Sequence, residues 1–314
     1  MRWLSLLLER LLRFLLHDIW LLNINDLERW RARLVRDLRI AVLMFKTFND
    51  QKISYQITAL AYRSMMAVVP AIAIGVYLTD EVGLRDLFTT TIASNLGDAP
   101  IAEAIMTSAD NIVSVAQSGL FGFISMASFT WIVLSLMITV RQVFNNVWKV
   151  EKETNLLKMI GMIIGITLLS PFVVILFFSG TVLYSNVLNY IFPDSFILSN
   201  SLKSLVSWLS FAGLSILLMA AMFKYIPGTR VRFRHALKAA VYSGIIFTII
   251  QFLYIETQFF VSKQSAVFGA LAALPLLMIW LNLGWSIILY GAELSFAFQN
   301  VDKHKKITID GDNN

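Results

Sequence analysis

The chain has 314 residues, no cysteine and a formal net charge of +6, with 57% apolar residues and only 15% charged ones. A soluble domain carries about 25% charged residues, and a core of this size cannot hide so many apolar side chains, so lipid must solvate much of the surface. The absence of cysteine excludes disulfides and thiolate metal sites.

The chain opens on MRWLSLLLERLLRFLL, where Arg2 precedes a leucine run, as in a signal peptide. Glu9, Arg10 and Arg13 interrupt that run and no small-residue cleavage site follows. At about 100° per residue, Ser5, Glu9, Arg10, Arg13 and His17 share one side and apolar residues cover the rest, which predicts an amphipathic helix. It lies either on the membrane interface or against the protein's own cytosolic face. Residues 26–46 continue as a charged, arginine-rich helix.

Six apolar stretches follow, roughly 54–79, 119–140, 159–185, 205–223, 239–261 and 267–298. Each is long enough to cross the hydrocarbon, which takes about 20 helical residues. The expected fold is therefore an all-α polytopic membrane protein: cytoplasmic or interfacial helices over 1–50, a six-helix transmembrane core over 51–300, and a polar, mobile tail over 301–314. Between the first two stretches, residues 80–118 form the largest external segment, acidic and with a helical pattern at Ile101, Ile105, Ala109 and Ile112. The last stretch is too long for one straight crossing, so a kink, a strong tilt or a short re-entrant lead-in is expected near Pro275, Asn282 and Gly284. Alternate connecting segments hold 22 lysines and arginines against 3. The positive-inside rule then places both termini in the cytoplasm.

One cation falls inside a crossing. Arg63 lies nine residues into the first stretch when that stretch is started at Ser54, roughly 13 Å deep at 1.5 Å per residue. A charge near mid-bilayer costs about 2.5–3.5 kcal/mol on insertion scales, and such a residue usually faces a protein interior or a wet cavity and has a partner. Glu293 in the last stretch is the expected partner, with Glu256 a more distant second; Tyr62 and Asn282 are further polar candidates. The pair reads either as a structural lock between first and last crossings or as part of a substrate or ion site. Pro70, Pro171 and Pro275 fall within predicted crossings and, with Gly284, are hinge candidates or plain kinks.

The segment KYIPGTRVRFRHALKAA turns at Pro227-Gly228 and carries Arg230, Arg232, Arg234 and Lys238. If extended, it aligns three guanidinium groups on one side, suited to anionic lipid headgroups, though such cations also serve simply to fix topology. Nucleic acid is not an expected partner. The segment after the second stretch, VFNNVWKV, carries interface-type residues, with Trp148 as a headgroup anchor. No phosphate-binding G-x-x-x-x-G-K-[ST] and no G-x-S-x-G is present, and His17, His235 and His304 lack metal-ligand spacing.

Four segments carry a resemblance: ALAYRSMMAVVPAIAI, VFNNVWKV, YIPGTRVRFRHALKAA and VFGALAALPLLMIWLNLGWSIILYGAEL. Together the chain from about residue 40 to 298 resembles the YihY/virulence factor BrkB family. At the start of the last stretch it departs from the Tyr-Gly of many members with Phe268-Gly269. The resemblance implies a six-helix protein of the bacterial cytoplasmic membrane. It also brings a ribonuclease label, against which the residues argue, since nothing here assembles a metal or acid–base site for phosphodiester cleavage. The expected function is transport or flipping of an anionic or amphiphilic solute, such as an envelope lipid, through a central cavity containing Arg63. The alternative is a non-transporting scaffold or assembly factor. Neither needs an enzymatic site or a cofactor. Membrane lipids are the expected partners, and a homo-oligomer is compatible with the sequence.

Overall fold

The structure is a computed structural model and describes residues 19–22, 27–81, 120–150, 200–262 and 266–311, with single positions at 107, 111, 114 and 161. Every element among them is helical: α1 (Ile19–Leu21), α2 (Arg29–Asp50), α3 (Ile53–Glu81), α4 (Leu120–Val147), α5 (Asn200–Tyr225), α6 (Phe233–Ser262) and α7 (Ala266–Gly311). The predicted amino-terminal helix, the third apolar stretch with Pro171 and nearly all of the external 80–118 segment lie outside the described residues.

Long apolar runs give long helices because lipid offers the backbone no alternative hydrogen-bond partner. α3 has 29 residues, or about 43 Å, against a hydrocarbon core of about 30 Å. Trp208–Tyr225, Phe233–Thr257 and Pro275–Asp302 are each long and apolar enough to cross, and Trp131–Val147 is a shorter apolar run. α7 is one helix of 46 residues with Pro275 inside it, so no re-entrant turn interrupts it. The segment after residue 300, expected as a mobile tail, instead prolongs α7 to Gly311.

α7 is the hub and touches each of the other described helices. Its buried residues Trp280, Leu289, Ala292 and Phe296 join Ile57 and Leu60 of α3, Phe144 and Val147 of α4, Phe223 of α5 and Phe247 of α6 in one core. Lipid tails are as apolar as leucine, so burying such residues brings little solvent-transfer gain; close packing has to hold the helices together. Two glycines permit it. A Cβ on Gly244 would come within 2.5 Å of Ile216 Cγ1, and one on Gly291 would collide with Ser243 Oγ and lie 2.5 Å from Phe223 Cζ. An aromatic chain (Phe211, Phe247, Trp280, Tyr254) runs from α5 through α6 to α7.

A smaller core forms where α1 and α2 lie on the end of α7, from Ile19, Trp20, Ile40, Leu43, Ala297 and Val301. α2 runs antiparallel to α7, since Arg36 pairs with Asp302 at 3.7 Å and Phe48 stacks on Tyr290.

Candidate functional site

Arg63 sits on an exposed flank of α3 and reaches α4, donating from Nη1 to Ser135 Oγ and to Thr139 Oγ1, each at 2.8 Å. Ser135 and Thr139 are one turn apart, so both hydroxyls face the same way, and Thr139 donates in turn to the Ser135 carbonyl at 2.7 Å. The ion pairs among the described residues are Arg31–Glu28 and Arg36–Asp302. Arg63 is therefore paired with neither Glu293 nor Glu256, which corrects the sequence expectation. The reason is register. Trp285 Nε1–H donates to Ser64 Oγ at 2.9 Å, which sets Arg63 level with the Trp285 turn of α7. Glu293 lies about two turns further on, roughly 12 Å along the axis. Glu256 is exposed on α6, Tyr62 is exposed on α3 and Asn282 is half-buried.

Glu293 is fully buried, between the core residues Leu289 and Phe296. Neither of its carboxylate oxygens has a hydrogen-bond partner among the described residues. One turn on, the Lys149 ammonium stands 5.6 Å from the centre of the Phe296 ring. Lys149 holds a positive φ of 53°, which ends α4 sharply. Trp148 beside it is buried and packs edge-on against Phe296 at 5.6 Å, so it is a core residue and not the expected headgroup anchor.

At the basic end of the bundle, the Pro227-Gly228 turn is tied to α4 by the Gly228 N–H donating to Asn145 Oδ1 at 2.7 Å. Gln299 of α7 clasps the following link, accepting from the Arg232 N–H at 2.8 Å and donating to the Arg230 carbonyl at 3.2 Å. Arg230, Arg232, Arg234 and Lys238 are all exposed. Because α6 starts at Phe233, Arg234 and Lys238 are helical, and the three arginines do not continue as one extended row. Of the hinge candidates, Pro70 lies within α3, Pro275 is exposed on α7 and Gly284 is buried on α7.

Two features were not anticipated. Buried Arg39 on α2 donates to the carbonyls of Ile19 at 2.7 and 2.9 Å and of Leu22 at 2.6 Å, clamping α1 onto α2. Burial pushes its guanidinium below the ordinary value and Asp302 partly offsets this. The second is a groove of about 540 Å³ between α2, α6 and α7, with Asp37, Met44, Tyr242, Ile246, Ile287 and Tyr290 among its walls. A further apolar crevice between α5, α6 and α7 holds only about 10 Å³. Arg63 lines neither; its guanidinium lies in an exposed seam between α3 and α4.

Residues 44–312 match the family model described as Virulence factor BrkB. The chain belongs to the BrkB family. Its BrkB-family relatives include a UPF0761 membrane protein of Psychromonas ingrahamii, 27% identical over 264 residues, covering 79% of this chain and 83% of that protein. Another, from Glaesserella parasuis, is 24% identical and covers 71% of this chain and 75% of that protein. The Haemophilus influenzae UPF0761 membrane protein is 22% identical and covers 83% of this chain and 95% of that protein. No solved structure matches the chain. The BrkB-family match begins inside α2, so it takes in Arg63, Glu293 and most of the groove walls but not Asp37. Among the described residues no group of three His, Asp or Glu side chains is placed to hold a metal ion.

Proposed function

We propose that the protein moves an anionic amphiphile, an envelope lipid or a molecule built like one, across the bacterial cytoplasmic membrane. The observation that carries this reading is Arg63: an exposed guanidinium partway along an apolar helix, held by two hydroxyls and, among the described residues, by no carboxylate. Neutral hydroxyls orient the cation and leave its charge uncompensated, so an anionic group in the α3–α4 seam would find a partner there. Ionisable residues inside a membrane are costly and rare, and they commonly mark substrate or ion pathways. The substrate would travel with its head in this seam and its tails in lipid. Both termini would lie in the cytoplasm, because the arginine-rich link before α6, the α2 helix and the end of α7 share one side.

The test is reconstitution of the full chain in liposomes, with movement of a fluorescent short-chain anionic phospholipid between leaflets as the readout. Arg63→Gln keeps a hydrogen-bonding side chain and removes the charge; it is expected to slow movement at least about tenfold, the equivalent of 1.4 kcal/mol. A wild-type rate no faster than in protein-free liposomes overturns the proposal, and so does an unchanged rate in Arg63→Gln.

A second reading has its own support. The two hydroxyl contacts also cross-link α3 to α4, as a scaffold would require. In that case Arg63→Gln lowers thermal stability and no lipid movement is measured for any variant.

A further inference from the structure

The groove between α2, α6 and α7 has a chemistry that neither the transport reading nor the family match accounts for. Its inner part is apolar, from Met44, Ile246, Ile287 and Leu294, and from Ile287 to Phe298 it follows α7 for about 16 Å. Its volume of about 540 Å³ falls in the range of small-molecule sites, about 300–1,000 Å³. Tyr290 and Tyr242 flank it; Phe48 stacks on the first at 4.2 Å and Phe298 on the second at 6.3 Å.

The outer end carries charges of both signs. Asp37 is in the wall itself. Arg36 beside it lies 3.7 Å from Asp302. Lys238 stands one turn before Tyr242 on the same face of α6. Arg36 and Asp302 join α2 to α7 next to Asp37, so charged groups of α2, α6 and α7 gather at this end of the groove. An apolar slot alone would suit any acyl chain. A mouth that offers cations and, beside them, a wall carboxylate suits a head that is itself a phosphate with an ammonium group.

We infer that this groove seats one aminophospholipid, with an acyl chain along Met44, Ile246 and Ile287, its phosphate at Lys238 and Arg36, and its primary ammonium at Asp37. A primary ammonium has N–H groups to donate to a carboxylate, whereas a quaternary ammonium has none. A purely anionic head would meet Asp37 and Asp302 as like charges. The site is separate from the Arg63 seam and stands whether or not the protein moves lipid.

The experiment is native mass spectrometry of the purified full chain, titrated with phosphatidylethanolamine, phosphatidylcholine or phosphatidylglycerol of matched acyl chains. One phosphatidylethanolamine is expected to stay bound at about tenfold lower concentration than the other two, the contribution of one charge-assisted contact. Asp37→Asn is expected to abolish that preference while retaining lipid. Lys238→Gln is expected to weaken all three lipids. Both positions are exposed, and an unchanged melting temperature verifies the fold. Ile246→Trp, which fills the slot from another exposed position, is expected to remove the tightly bound lipid altogether. Equal retention of the three lipids by the wild type, or an equal preference in Asp37→Asn, overturns the inference. A preference for phosphatidylglycerol overturns it as well.

Discussion

Ser243 on α6 faces Gly291 on α7 so closely that the site has no room for even one methyl group. Ser243 is buried and donates to the Ala239 carbonyl at 2.8 Å, so its hydroxyl is held in the contact. Phe223 of α5 closes the same point from the other side. Three helices therefore meet at one residue without a side chain. Gly291→Ala is expected to destabilise the bundle by about 1–3 kcal/mol, the usual range for overpacking. Thermal unfolding in detergent measures it, and an unchanged midpoint would falsify the contact.

Gly244 gives a control on a second seam. Its added methyl would meet Ile216. Gly244→Ala should destabilise the protein, and Ile216→Ala, which removes the Cγ1 that the methyl would strike, should cost less in the Gly244→Ala background than in the wild type. Comparing the four melting curves checks it; strictly additive losses remove the steric explanation.

No ion pair or hydrogen bond joins Arg63 to Glu293 among the described residues. The stability effects of Arg63→Gln and Glu293→Gln are expected to add to within about 0.3–0.5 kcal/mol. Exchanging the charges (Arg63→Glu with Glu293→Arg) is expected to restore neither stability nor transport. Rescue by the exchange would re-establish the ion pair that the spacing of the two crossings suggested.

Glu293→Gln by itself separates packing from charge. A fully buried carboxyl without a hydrogen-bond partner is driven to its neutral form, and an amide of the same size fills the same space without any charge. The glutamine variant should therefore be at least as stable as the wild type, whereas Glu293→Ala should lose stability by leaving a void in the α7 core. Chemical denaturation of the three proteins reads the order directly; a glutamine variant that unfolds as easily as the alanine variant refutes it.

Ser135→Ala with Thr139→Ala removes both acceptors of Arg63. Interhelical hydrogen bonds in membranes average about 0.6 kcal/mol, so roughly 1 kcal/mol of stability should go. If Arg63 attracts substrate, the freed guanidinium should still support lipid movement, at a lower rate. Complete loss with intact folding points to a structural role instead.

The helices were legible because hydropathy is a one-dimensional signal and lipid permits only one local solution for such a chain. α3, α4, α5, α6 and α7 each fall on a predicted stretch. The extension of α7 to Gly311 was not legible, since IDG and the polar run before it look like a tail until one sees a continuous helix. Partner choice was harder still. Depth along a crossing says how far a residue lies from a surface, but not which way the helix is turned. Arg63 and Glu293 came close in depth only if both crossings ran near the membrane normal; the Ser64–Trp285 contact sets them about two turns apart. Nor could any pattern reveal Arg39, one arginine among several on α2, as the clamp on Ile19 and Leu22, because its acceptors are main-chain carbonyls that carry no sequence signature. The groove was invisible for the same reason: its walls come from three segments far apart in the chain.

The helix on which the other described helices lean is made after all of them. Until α7 leaves the translocon, α3 has no Trp285 to hold Ser64, and the bond that joins them spans 221 positions of chain. Earlier helices can pair, α3 with α4 and α5 with α6, before α7 joins the pairs. The full bundle closes only then, and a stop codon anywhere before about Trp280 leaves quality-control proteases a set of inserted helices with no keystone.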